Sequence, residues 1–265
     1  MFLQAEIEVI DKIMLHLSII LPVYREARRL KDSLATVAEF VSSVEGGAEA
    51  IFVNDGSPDQ SAEMISQYLA EHPQLPLQLI SLPYNQGKGA AVKTGVLAAR
   101  GDLILMSDTD LSSPLGDYRQ LLKGVEQGAD IVCGSRAIAG ADVGANPPLL
   151  RRALSRVFNI LVRVAGVHGI HDTQCGFKLF KAKPAKLIFE RMRIQGFAFD
   201  VELIVRAQTS GFKVIEVPVR WDYSGHSTVR VFTHGSRMLL DVFMLALKRV
   251  FRGKRSFDVR NGDRA

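Results

Sequence analysis

Leu103-Ile104-Leu105-Met106-Ser107-Asp108-Thr109-Asp110 is the stretch that decides the fold. Four apolar residues in a row read as a strand buried on both faces, as in a parallel sheet covered by helices. In such sheets ligands bind beyond the carboxyl ends of the strands. Asp108 and Asp110 stand at that end, one residue apart. Carboxylates so placed suit a hard divalent cation that keeps some waters and shares its other positions with substrate phosphates. The first expectation is therefore a metal-assisted enzyme acting on a nucleotide diphosphate. An aspartate-rich turn closing a strand would look the same locally, so the rest of the chain must decide.

Outward from this stretch, short apolar runs alternate with helical ones, the pattern of βαβ units. Residues 17–21, 50–53, 77–82 and 129–133 read as further strands. Helices are expected up to about Val44, from Ser57 to about His72, from Gly87 to Arg100, and from about Pro114 to Gln127. Ser57 reads as an N-cap with Pro58 at the first helical position, and Gly101 as a C-terminal stop. After Arg136 the alternation breaks. Helices are expected over 149–165, 199–210 and 235–251, with a loop over 172–180 entering a strand and another strand over 213–219. The fold class is α/β: a Rossmann-like, open, mostly parallel sheet flanked by helices, with amphipathic helices towards the C-terminus. Residues 1–16 read as an N-terminal extension and 17–234 as one catalytic domain. Its nucleotide half runs to about 136, with an acceptor half after it on the same sheet. Residues 235–252 read as an amphipathic membrane-interface helix and 253–265 as a disordered basic tail.

A chain of 265 residues with 47% hydrophobic content can bury a substantial core. A net charge of +5 favours an anionic partner: phosphorylated lipid, anionic membrane, nucleotide or nucleic acid. Cys133 and Cys175 are the only cysteines, which fits a reducing compartment without a disulfide frame. Met1 to Lys12 carries three acids (Glu6, Glu8, Asp11) and one base, the wrong charge for a secretory n-region. There is no apolar run of about 20 residues, the length a spanning helix needs.

Other residues carry weaker signals. Asp55 ends a strand, where it suits a ribose or base contact or an Asx-turn. Asn85-Gln86-Gly87-Lys88-Gly89 precedes a helix, a setting that lets backbone approach a phosphate. Val92 stands where a dinucleotide fingerprint needs its third glycine, and Lys88 is not set as in a Walker A loop. Over residues 149–164, Arg151, Arg152, Ser155, Arg156, Asn159 and Arg163 fall within an arc of roughly 140°. A basic amphipathic helix of this kind suits an anionic ligand or a membrane surface, and Arg136, Arg151 and Ser155 suit a phosphate clamp. The 235–251 helix is apolar round most of its circumference, with Arg237, Asp241 and Lys248 on a narrow stripe; it suits either a membrane interface or the core. Asp172 and Glu202 are the remaining suggestive acids. The histidines show no metal-ligand spacing, and no G-x-S-x-G motif supports a serine triad.

Taken in order, Ile20-Leu21-Pro22-Val23-Tyr24-Arg25-Glu26, Val53-Asn54-Asp55-Gly56-Ser57-Pro58-Asp59, Gly87-Lys88-Gly89 and Ser107-Asp108-Thr109-Asp110 resemble the inverting family-2 glycosyltransferases with the GT-A fold. Gly134-Ser135-Arg136, Asp172-Thr173-Gln174-Cys175-Gly176-Phe177-Lys178 and Glu216-Val217-Pro218-Val219-Arg220-Trp221 narrow the resemblance to the dolichyl- and polyprenyl-phosphate hexose synthases. The glucosyl branch is matched better than the mannosyl one. The resemblance covers about Leu17 to Arg249. It implies that Pro22, Val23, Tyr24, Glu26, Asp55 and Lys88 hold the nucleotide sugar. Asp108 and Asp110 would serve the diphosphate and its Mg²⁺ or Mn²⁺, with Asp110 the direct ligand. Arg136, Arg151 and Ser155 match positions that bind the lipid phosphate. Ser112 departs from the mannosyl pattern, which often has a glutamine there as a further metal ligand.

The implied partners are a nucleotide sugar, a polyprenyl-phosphate lipid and a membrane surface. Nucleic acid is not expected, and a homo-oligomer is left open. The implied place is the cytoplasmic face of a membrane, held peripherally. The implied reaction is attack of a phosphate oxygen on the sugar C1 with inversion. A phosphate monoester is largely dianionic at neutral pH and needs no strong base. A hydroxyl acceptor would need one, with Asp172 the candidate. A non-enzymatic basic membrane or nucleic-acid module is the remaining alternative.

Overall fold

The computed structural model describes residues 16–143, 158–221 and 231–260. In chain order the elements are β1 (Leu17–Val23), α1 (Leu30–Ser43), β2 (Ala48–Asn54), α2 (Ser61–Glu71), β3 (Leu77–Ser81), α3 (Lys88–Ala98), β4 (Leu103–Met106), α4 (Tyr118–Glu126), β5 (Ile131–Ser135), β6 (Asp142–Val143), β7 (Lys178–Lys181), α5 (Ala182–Arg191), α6 (Phe199–Thr209), β8 (Val214–Pro218), β9 (Arg220–Trp221) and α7 (Val231–Arg252). Residues 158–164 are also helical.

Seven strands form one sheet in the order β3-β2-β1-β4-β7-β5-β8, and β6 pairs with β9 in a separate two-stranded ribbon. Only β7 is antiparallel to its neighbours in the large sheet. The carboxyl ends of the parallel strands therefore share one edge. The loop before β7 joins them there, because β7 runs the other way. Apolar residues on both faces explain the order. Ile20, Ile51, Val53 and Ile104 point into a core shared with α3, α5, α6 and α7. Ile19, Leu21, Phe52 and Leu105 point into a core shared with α1, α2 and α4. All eight are fully buried, and each such side chain contributes roughly 1.5–3 kcal/mol.

Helix α3 lies unusually close to the sheet. A Cβ at Gly95 would overlap the Ile20 side chain, and one at Gly89 would meet Phe199 and the Ile194 carbonyl. Small residues at these turns let α3 pack down onto β1 and bring Lys88, its first residue, over the strand ends. Gly87 precedes it with φ +107, a conformation that favours glycine.

The structure differs from expectation in several places. Helix α2 begins at Ser61 rather than at Pro58. The Asn54 and Asp59 side chains account for this: they accept hydrogen bonds from the Ser57 and Ser61 amides and hold 54–60 as a turn. The C-terminal segment is not a loose tail up to Arg260. Phe257 and Val259 are buried, Val259 N donates to Ser210 Oγ at 2.8 Å, and the Arg206 guanidinium lies over the Phe257 ring. Two apolar side chains anchor it, which a count of its basic residues does not reveal. Helix α7 starts at Val231, before the expected 235. Its nature is also divided: Val242, Leu245 and Ala246 are buried, whereas Leu240, Phe243, Met244, Val250 and Phe251 are exposed. Among the described residues no helix is long and apolar enough to cross a membrane. Both cysteines are free and buried, and burial pushes the Cys133 thiol up to about 12, so it is an inert core residue.

Candidate active site

The acidic pair sits where β4 ends. Thr109 between them is buried and donates from Oγ1 to the Pro22 carbonyl at 2.7 Å. That bond ties the end of β4 to the end of β1 and fixes the two aspartates relative to the loop after β1. Leu111 follows with φ +50, and Arg25 on the neighbouring loop has φ +58. Non-glycine residues in this region cost free energy and concentrate at functional sites.

Asp108 and Asp110 have different surroundings. Asp108 Oδ1 is 2.5 Å from Lys88 Nζ. A Cβ at Gly176 would overlap Asp108 Oδ2, so that oxygen is pressed against the loop before β7. Burial pushes the Asp108 carboxyl up, but Lys88, and then Lys178 and Arg136, outweigh it and hold it below the usual range. Asp110 has polar partners on both oxygens. Its Oδ1 accepts from Ser112 N and Oγ, at 3.1 and 2.7 Å, and its Oδ2 has Arg29 Nη1 at 3.6 Å. Ser112 thus supports Asp110 rather than standing as a separate ligand. Arg29 also grips Glu26 Oε2 at 2.8 Å. Burial raises the Glu26 carboxyl, Arg29 opposes this, and Asp110 and Asp108 add to the rise.

The loops that carry the expected nucleotide residues are braced by one another. Asp55 N donates to the Val23 carbonyl at 2.8 Å. Arg25 N donates to Ser57 Oγ and Glu26 N to Ser61 Oγ, at 3.1 and 3.0 Å. The Arg25 guanidinium lies over the Tyr24 ring. Asp55 itself is 3% exposed, and its carboxylate accepts from Asn85 Nδ2, Gln86 N and Gly87 N. Its carboxylate is occupied in holding the loop that presents Lys88.

On the other side of the pair stands Arg136, one residue beyond β5. Asp172 holds it in three ways: Arg136 N and Nε donate to Oδ2 at 3.0 and 2.7 Å, and Nη2 donates to Oδ1 at 2.9 Å. The guanidinium also lies over the Trp221 ring, 5.4 Å from its centroid. Trp221 is positioned in turn by its neighbour Arg220, whose backbone and side chain bind Asp117. Burial pulls the Arg136 pKa down, but Asp172 more than offsets this, so the guanidinium stays charged. Asp172 is 9% exposed. Burial raises its pKa, but Arg136 and then Lys178 hold it below the usual carboxylate range. Asp172, the candidate general base, is here a depressed carboxylate that grips an arginine.

Two further charged residues lie behind the site. Lys178, fully buried at the start of β7, donates to the Cys175 carbonyl at 2.5 Å and to Asp200 Oδ1 at 2.6 Å. Burial pulls its pKa down, but Asp200, with smaller contributions from the neighbouring cysteines, raises it above the usual lysine range. Sequence reasoning quoted Lys178 inside a motif and gave it no role; a lysine flanked by Phe177 and Leu179 was the available signal. Glu202 accepts from the Arg193 and Ile194 amides and pairs with Arg206, which makes it structural. Arg151 and Ser155 lie outside the described residues.

A small cavity lined by Ser107, Asp108, Ser112, Ser113, Arg136, Gly176, Phe177 and Trp221 joins Asp108 to the arginine. Lys88 reaches Asp108 from one side of it. Among the described residues no group of three or more His, Cys, Asp or Glu side chains gathers as a metal cage. The donor set still fits a hard cation bound by one or two carboxylates, with phosphate oxygens and water completing the shell. Each of the two already has a partner: Lys88 on Asp108, and Ser112 with Arg29 on Asp110.

Such a sheet, with carboxylates and cations gathered at its carboxyl edge, defines a GT-A type glycosyltransferase. The profile of Glycosyl transferase family 2 matches residues 18–189, and the chain belongs to that family. A dolichyl-phosphate beta-glucosyltransferase of Trichomonas vaginalis is 38% identical over 238 residues, 86% of this chain and 70% of that one. Proteins of the same name from Dictyostelium discoideum and Homo sapiens are 34% and 32% identical, each over 88% of this chain and 75% of theirs. Among solved structures, a mannosyltransferase from Pyrobaculum calidifontis, in complex with GDP-Man and Mn²⁺, superposes with a TM-score of 0.60 at 17% identity. It covers 94% of this chain and 65% of that one. Glucosyl-3-phosphoglycerate synthase of Mycobacterium tuberculosis, with Mn²⁺, UDP and phosphoglyceric acid, gives 0.64 at 15% identity, over 91% of this chain and 82% of that one. At these identities the structures speak for the fold.

Proposed function

We propose that this glycosyltransferase moves glucose from UDP-glucose to the phosphate of a dolichyl or other polyprenyl phosphate, giving a β-linked product. One observation carries the choice of acceptor. The carboxylate best placed to act as a base, Asp172, is locked onto Arg136. A hydroxyl acceptor would need that base, whereas a phosphate dianion needs only alignment and charge. Names of relatives at 32–38% identity support the glucosyl donor and the lipid acceptor.

In this reading Lys88, tethered by Asp108, neutralises the leaving diphosphate, and Arg136 receives the acceptor phosphate. Asp110 would hold Mg²⁺ or Mn²⁺, with Asp108 beside it. When bound, the ion supplies electrostatic stabilisation to the departing diphosphate. Tyr24 and Glu26 line the nucleotide side, on the loop braced by residues 57–61. The acceptor oxygen attacks C1 from the face opposite the diphosphate, and one displacement inverts the anomeric centre. The lipid acceptor places the protein at a membrane surface, for which the exposed apolar face of α7 with Arg237 and Lys248 is suited. Peripheral attachment at the cytoplasmic face is the corresponding location.

The test is a panel of nucleotide sugars offered with one polyprenyl phosphate, with and without a chelator. UDP-glucose should be used best, and chelation should stop transfer. Preference for GDP-mannose would overturn the donor; transfer undiminished by chelation would overturn the metal role.

A further inference from the structure

Arg136 owes its orientation to more than Asp172. Glu216 is the third residue of β8 and pairs across the sheet with Cys133 of β5. Its side chain is 7% exposed. Oε2 accepts a hydrogen bond from the His171 amide at 2.6 Å and a longer one from the Asp172 amide at 3.4 Å. Oε1 is 2.8 Å from His171 Nδ1. One buried carboxylate therefore fixes two consecutive amides, and the second belongs to the residue that grips Arg136. Glu216 does not line the cavity where Arg136 meets Asp108; its printed contacts are with His171 and Asp172.

We propose that Glu216 is a positioning residue for the acceptor phosphate, acting through the His171–Asp172 backbone to hold Arg136 in its binding orientation. The inference rests on the acceptor reading above. A charged carboxylate suits the task because its bonds to N–H groups are about twice as strong as neutral ones. A glutamine there would keep a single acceptor oxygen and turn an NH₂ group towards an amide N–H.

The experiment has two arms on the full chain. In ¹⁵N-arginine-labelled protein, the Arg136 Nε–H should exchange slowly in the wild type and fast in Glu216→Gln. In transfer assays, Glu216→Gln should raise the polyprenyl-phosphate KM roughly ten-fold, the cost of about one lost buried hydrogen bond. The Kd for UDP-glucose should stay unchanged. Added to Arg136→Lys, which itself weakens the acceptor, Glu216→Gln should have no further effect on that KM. Unchanged Nε–H protection would overturn the proposal, as would additive KM effects or parallel loss of UDP-glucose binding. Should Glu216→Gln not fold, Glu216→Asp, with the same charge on a shorter stem, is read by the same criteria. A wild type that transfers to no phosphate acceptor sinks the acceptor reading instead, and the exchange arm still decides the positioning role.

Discussion

Asp108, Asp110 and Asp172 are all carboxylates at one sheet edge, yet each is committed to a different partner: Lys88, Ser112 with Arg29, and Arg136. Their environments, not their residue type, assign the roles. Asp172→Asn tests this directly. It should raise the acceptor KM and leave nucleotide-sugar affinity unchanged, because it loosens Arg136 while Lys88 keeps its place. A collapse of kcat by several orders of magnitude at saturating acceptor, with KM unmoved, would restore the base reading. The same residue has a pH signature. Its folded pKa lies below the unfolded value, so its stabilising contribution is present above the unfolded pKa, about 3.9. That contribution is lost as pH falls through the depressed folded pKa. Acid unfolding of Asp172→Asn, followed by circular dichroism, should show a shallower loss of stability below about pH 4 than the wild type. At this scale the sequence carried much: strand-end position marked Asp108, Asp110, Asp55 and Arg136. It could not show that Asp55 faces the 85–87 loop or that Asp172 faces Arg136, because those pairings join residues 30 or more positions apart.

At the scale of elements, glycines decide how closely the loops approach. Gly176 lies against Asp108, and an added methyl group would overlap its carboxylate. Gly176→Ala should therefore cut transfer by more than ten-fold through displacement of Asp108 or of the loop, a cost of at least about 1.4 kcal/mol in transition-state binding. The melting temperature should fall by only a few degrees. Equal activity in Gly176→Ala would mean the loop yields freely. Buried parallel strands were legible as apolar runs because both faces are covered. The antiparallel insertion of β7 between β4 and β5 was not, since four residues carry no register. Helix α5 went unread although Pro184 sits in its first turn, where a proline is tolerated. The α2 start was misplaced because Ser57 Oγ accepts from the Arg25 amide instead of capping a helix, and the Asp59 carboxylate takes the Ser61 amide.

For the molecule as a whole, α7 turns apolar side chains outward. Phe243 and Met244 are 47% and 46% exposed. Replacing both with serine should weaken flotation with anionic liposomes while leaving the melting temperature unchanged within about 2 °C, since neither fills the core. Flotation equal to the wild type would remove α7 from the membrane surface. The amphipathic character of this helix was legible from its spacing. Which face it buries was not, because that depends on where α6 and residues 158–165 stand.

The central claim is that a phosphate, aligned by Arg136 and needing no base, attacks the sugar directly. The most direct measurement is the anomeric configuration of the product made from UDP-glucose and a polyprenyl phosphate, read by proton and phosphorus NMR. The account predicts a β-linked glucosyl phosphate released together with UDP. An α-linked glucosyl phosphate, or glucose found only on a hydroxyl acceptor, would contradict it.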